Sequence, residues 1–104
     1  MIALQTRLAE MEHLISIDAL TGACNFRHFS QLLPQVLAGS QRRLRASSLI
    51  LVDLDHFKRV NDTWGHEIGN QVLRHTVAVM RESVRAADTV CRYGGEEFAV
   101  ILPD

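Results

Sequence analysis

Gly94 and Gly95 stand between two strand-like stretches, residues 89–93 and 97–102, and a glycine pair at that spacing directs the chain into an antiparallel hairpin. Glycine reaches the positive φ values of a tight turn at no steric cost, so both residues are expected to serve the bend. A further strand is read at residues 47–53, where Leu49, Ile50, Leu51 and Val52 form the continuous apolar run of a buried strand. Between the strands, residues 65–85 carry helical periodicity. Ile68, Val72, Leu73, Thr76, Val77, Val79, Met80 and Val84 fall on one half of that helix, and Glu67, Gln71, Arg74, His75, Arg81 and Glu82 on the other.

Upstream, Asn25 is placed to cap a helix that begins at Phe26, with Phe29, Leu33, Val36 and Leu37 on a shared face and a kink expected at Pro34. Arg42, Arg43 and Arg45 close it and complement the helix dipole. Leu4, Leu8, Met11 and Ile15 follow the four-and-three spacing of a coiled-coil seam, which suits a dimer stalk or a helix lying on its own domain equally well. The order helix, helix, strand, helix, strand, strand predicts an α/β sandwich of the α+β kind, with the helices on one face of the sheet.

With 104 residues, one core is available and two are not. Eleven basic against 12 acidic residues give a net charge of −1, which removes the basic track that nucleic acid or a polymerase template would need. No apolar run approaches the roughly 20 residues of a membrane span. Cys24 and Cys91 make no C-x-x-C pair, so neither a disulfide framework nor a zinc site is supported, and a reducing cytoplasm is the expected location. Cys91, Phe57 and Phe98 are expected in the core, whereas Trp64 is undecided.

Chemistry is expected where carboxylates gather at strand ends. Asp53 and Asp55 lie where the 47–53 strand exits, and Glu96-Glu97 lie at the hairpin. Oxygen-only donor sets suit Mg²⁺ or Mn²⁺, although either cluster alone also fits solvated turn acids. Because strand side chains alternate, one of Glu96 and Glu97 shares a side with Asp53, and Glu96 is taken as its partner. The paired glycines would also let backbone approach a phosphate.

Taken together, Asp18-Ala-Leu-Thr-Gly22 with Asn25, Arg27 and Phe29, then Asp53-Leu-Asp-His-Phe-Lys58, Asn61-Asp62, Gly65-His66, Gly69 and Arg92-Tyr-Gly-Gly-Glu-Glu-Phe98 resemble the GGDEF domain of diguanylate cyclases, in its GGEEF variant. The resemblance spans residues 18–104 in order, with residues 1–17 as an N-terminal signalling or coiled-coil helix. It implies a fold related to the adenylyl cyclase catalytic domain and the polymerase palm, and a homodimer that condenses two GTP into cyclic di-GMP with release of pyrophosphate. It further implies Asp53, Glu96 and the Leu54 carbonyl as Mg²⁺ or Mn²⁺ ligands, with Glu97 supporting them. The amides of His56 and Phe57 and the Lys58 ammonium would face the phosphates, beside Gly94 and Gly95. Asn61 and Asn70 would read guanine, and Arg85 with Asp88 would form a product-inhibition site. Asn70 departs from the family's aspartate there, which predicts weaker selection of GTP. The chain also reads as cut at its C-terminal side, so little turnover is expected of these residues alone. A non-catalytic nucleotide sensor or signalling scaffold is the alternative.

Overall fold

The structure is a computed structural model that describes residues 16–104. The apolar seam of Leu4, Leu8, Met11 and Ile15 lies outside the described residues. Ser16 sits in a turn, and Ile17 pairs with Cys24 in an isolated bridge.

Six elements follow in order: α1 (Phe26–Arg43), β1 (Ser48–Asp53), α2 (Phe57–Trp64), α3 (His66–Glu82), β2 (Thr89–Arg92) and β3 (Glu97–Leu102). Asn25 caps α1 as expected, its side chain accepting from the His28 N–H at 2.9 Å. The helix continues through Pro34, which is exposed. The three strands pair antiparallel in the order β1-β3-β2, with Asp53 opposite Glu97 and Arg92 opposite Phe98.

The central strand β3 is apolar at every position after Glu97, so both of its faces require cover. Phe98 and Val100, with Val90, pack against Leu73 and Val77 of α3. Ala99 and Ile101, with Cys91, pack against Phe29 of α1 and its partly buried neighbours Leu32, Leu33 and Val36. The helices therefore lie on opposite faces of the sheet, which corrects the expectation of a single covered face. Alternation along the strand makes two helix layers the physical solution.

Two further expectations are corrected. β1 is not buried: Leu49, Ile50 and Leu51 are 43%, 47% and 63% exposed, because β1 is an edge strand paired with β3 alone and only its Val52 end reaches the core. The helix read at 65–85 begins at His66 and ends at Glu82, Ile68 and Val79 lie exposed beside its buried stripe, and the separate helix α2 precedes it. Trp64, at the end of α2, is exposed.

The hairpin also works differently from its glycine signature. Neither Gly94 nor Gly95 takes a left-handed φ; the glycines that do are Gly22 and Gly65. The bend is closed by the N–H groups of Tyr93 and Gly94, which both donate to the Glu97 carbonyl at 2.8 and 3.1 Å. A Cβ at Gly94 would come within 2.9 Å of Glu97 Oε1, the far end of a flexible side chain that can move aside.

Candidate functional site

The sheet end that carries Asp53 and the hairpin meets the start of α3 and the side of α2. Between them lies an open cleft of about 310 Å³, lined by Phe57, Asn61, His66, Asn70, Leu73, Arg92, Gly95, Glu96 and Glu97. Each side chain arrives by a different route. Residue 56 holds a left-handed conformation (φ 59°, ψ 28°) and turns the chain from β1 into α2, which carries Phe57 and Asn61. Gly65, at φ 91°, turns it again into α3, which carries His66 and Asn70. Glu96 and Glu97 come from the hairpin, whose position is fixed by the Leu54 N–H donating to the Glu96 carbonyl at 3.1 Å.

Arg92 holds the hairpin in shape. Its guanidinium donates to the Gly94 carbonyl at 3.2 Å, to the Gly95 carbonyl at 2.8 Å, and to both oxygens of Asp18 at 3.2 and 3.3 Å. Asp18 also accepts from the Thr21 amide at 3.0 Å and hydroxyl at 2.7 Å. Burial raises the Asp18 pKa, but the Thr21 hydrogen bonds and the Arg92 charge outweigh it and hold the carboxyl below its ordinary 3.8. The loop around Asp18 is tied down from α3 as well, by Arg74 to the Leu20 carbonyl at 3.2 Å and Arg81 to the Gly22 carbonyl at 2.6 Å. Sequence reasoning put Arg74 and Arg81 on a solvent face and gave Arg92 no role of its own. The contacts join residues distant in the chain and leave no periodic trace, so only the motifs around Asp18 and Arg92 pointed toward them.

The structure brings Phe57, Asn61, Asn70, Gly95, Glu96 and Glu97 to one cleft, and His66 joins them. Asp53, Leu54, His56, Lys58 and Gly94 flank the cleft without lining it. The ladder sets Glu97 directly across from Asp53, so the alternation argument used for Glu96 favours Glu97 instead. Glu96 lies just before β3, in the bend, where alternation does not govern it. The carboxylates of Asp53, Glu96 and Glu97 make no hydrogen bond or ion pair among the described residues. No group of three or more His, Cys, Asp or Glu side chains assembles there as a metal cluster, again among the described residues.

At the far end of α3, Asp88 accepts from the Arg85 amide at 2.8 Å, and the exposed Arg85 borders a concavity of about 280 Å³ with Leu102 and Pro103. Asp88 thereby holds the turn that follows α3.

The sheet, covered by helices on both faces, thus carries unpaired carboxylates at one end beside a polar cleft. The family model described as "Diguanylate cyclase, GGDEF domain" matches residues 15–104, and the chain belongs to that family. It is 36% identical over 101 residues to the probable diguanylate cyclase DgcC of Escherichia coli K12, covering 93% of this chain and 27% of the relative. It is 42% identical over 101 residues to the response regulator PleD of Caulobacter vibrioides, covering 97% of this chain and 22% of that protein. Among solved structures, the coiled coil and GGDEF domain of DgcB from Caulobacter crescentus, in complex with c-di-GMP, superposes with a TM-score of 0.87 at 33% identity, over 96% of this chain and 52% of the other. Diguanylate cyclase SiaD of Pseudomonas aeruginosa, in complex with its activator SiaC, superposes at 0.81 with 36% identity, over 98% and 40%. The chain thus spans about a quarter of these curated relatives' length. No helix among the described residues is long and apolar enough to cross a membrane.

Proposed function

We propose that the cleft binds GTP together with a divalent cation, and that two such domains facing each other join two GTP into cyclic di-GMP with release of pyrophosphate. The observation that carries this reading is the meeting of Asn61, Asn70, Gly95, Glu96 and Glu97 at one cleft from three separate elements. Guanine presents N1–H and N2–H donors and an O6 acceptor, which the Asn61 and Asn70 carboxamides complement. The amides of Phe57 and Lys58 open α2 and have no intrahelical acceptor, so with the His56 amide and the Lys58 ammonium they suit phosphate oxygens. Gly95 has open space where a Cβ would stand, which leaves its backbone accessible to the triphosphate, whereas the space beside Gly94 is taken by the Glu97 side chain.

The unpaired carboxylates of Asp53 and Glu96, with the Leu54 carbonyl, are oxygen donors of the kind Mg²⁺ or Mn²⁺ takes, and Glu97, across the ladder from Asp53, would join them. Such a cation, when bound, polarises the α-phosphate and lowers the pKa of the attacking 3′-hydroxyl. Glu96 would also receive that proton. A Glu96→Gln protein that bound metal and GTP normally yet turned over at full rate would refute this role. Each domain supplies one GTP, so the reaction needs a homodimer, whose approach the N-terminal segment would control. The Arg85 guanidinium is unpaired among the described residues and would bind product at the feedback site.

Titration with nucleotide in the presence of Mg²⁺ tests the reading. GTP is expected to bind in preference to ATP, and Asn61→Ala to abolish that preference. Equal affinity of the unaltered chain for GTP and ATP would overturn the assignment.

A further inference from the structure

Asn61 reaches the cleft without a hydrogen bond to hold its side chain. Its backbone carbonyl accepts from the Gly65 N–H at 2.8 Å, but its carboxamide has no partner among the described residues. What faces it is the backbone of α3 at Gly69, which is buried. A β-carbon at Gly69 would collide with Asn61 Oδ1 and stand 3.0 Å from Asn61 Cγ and 3.3 Å from Phe57 Cζ. Gly69 does not adopt a left-handed φ, in contrast to Gly65 at 91°. Backbone conformation therefore gives no reason for glycine within the helix, where alanine ordinarily stabilises. The demand is for space.

We propose that Gly69 is a positioning residue for the base end of the cleft: its missing side chain lets α2 and α3 approach closely enough to hold the Asn61 carboxamide toward the ligand. The inference rests on the reading of the cleft as a guanine site and adds a determinant of base selection that touches no ligand. A methyl group at position 69 either swings the carboxamide away or pushes α2 from α3, and the next residue on α3 is Asn70. Both base-reading side chains depend on the same contact.

The test is a double-mutant cycle on the chain, made with Gly69→Ala, Asn61→Ala and the pair, and read by thermal unfolding and by GTP and ATP binding with Mg²⁺. Gly69→Ala is expected to lower the melting temperature alone, and to be neutral or stabilising in the Asn61→Ala background. It should also weaken GTP at least tenfold while leaving ATP, which shares the triphosphate, within about twofold, where general damage would weaken both alike. Should Gly69→Ala fail to fold while the double variant folds, the contact is supported; if both fail, it is refuted. Additive melting shifts refute the contact, and an unchanged ratio of GTP to ATP affinity refutes the positioning role. A chain with no GTP preference before substitution would instead sink the guanine reading, and the melting cycle would still decide the contact.

Discussion

Arg92 spends its planar fork on three partners at once, two hairpin carbonyls and the Asp18 carboxylate, and a lysine could not span them. Both side chains of the pair are about four-fifths buried, with relative exposures of 19% and 20%. Removing either charge should cost about 1–3 kcal/mol, as for charged hydrogen bonds of this kind. Asp18→Asn is expected to lower the unfolding free energy by that amount, checked by urea denaturation at neutral pH. The Asp18 carboxyl is depressed below 3.8, so its contribution is complete above that pH and is lost as pH falls through the lower folded value. Acid titration of stability should therefore be flatter below pH 4 in Asp18→Asn. Cys91 titrates in the opposite sense. Burial, together with the neighbouring Cys24, pushes its thiol from 9.0 up to about 12, so its contribution holds below pH 9 and fades between 9 and 12. The same burial predicts that Cys91 resists alkylation until the protein unfolds, which mass spectrometry would read.

Local chemistry and tertiary cover part company among the elements. Leu44 ends α1 in a left-handed conformation, φ 55° and ψ 38°, with its side chain 93% exposed. That conformation costs a β-carbon-bearing residue about 1–2 kcal/mol, so Leu44→Gly should raise the melting temperature, and a fall would show that Leu44 packs on something. The Asn25 cap, the hairpin and the Leu73/Val77 stripe of α3 were legible because each is set by local pattern. The helix α2 was not, because eight residues with none buried give too little apolar period to stand out. Nor was the exposure of β1: an apolar run states that cover is sought, and it does not say which neighbours supply it. At the site, the motifs named Asn61, Asn70, Glu96 and Glu97, whereas the arginine ties around Asp18 required the folded chain. The glycine pair of the hairpin was correctly located, but neither residue takes the left-handed φ that was expected of it.

Across the whole molecule, the sheet has helices on both faces and an edge, β1, with apolar side chains open to solvent on either side. An uncovered apolar edge is a template for pairing with another chain. Leu51→Lys is therefore expected to reduce concentration-dependent association in sedimentation experiments without lowering GTP affinity. Association that persists unchanged would place the contact elsewhere. The proposed reaction needs two domains, so any cyclic di-GMP formation should rise with the square of protein concentration at low concentration. Replacing Asn70 by aspartate supplies a charged acceptor for guanine and should increase the preference for GTP over ATP.

The central claim is that one cleft, walled by α2, α3 and the hairpin, receives nucleotide with its cation. Amide chemical shifts of the isotope-labelled chain, followed as GTP and Mg²⁺ are added, test it most directly. The account predicts saturable changes at His56, Phe57, Lys58, Asn61, Asn70 and residues 94–97, sharply reduced when the cation is chelated. Shifts confined to the opposite end of the sheet, or the same shifts with and without the cation, would contradict it.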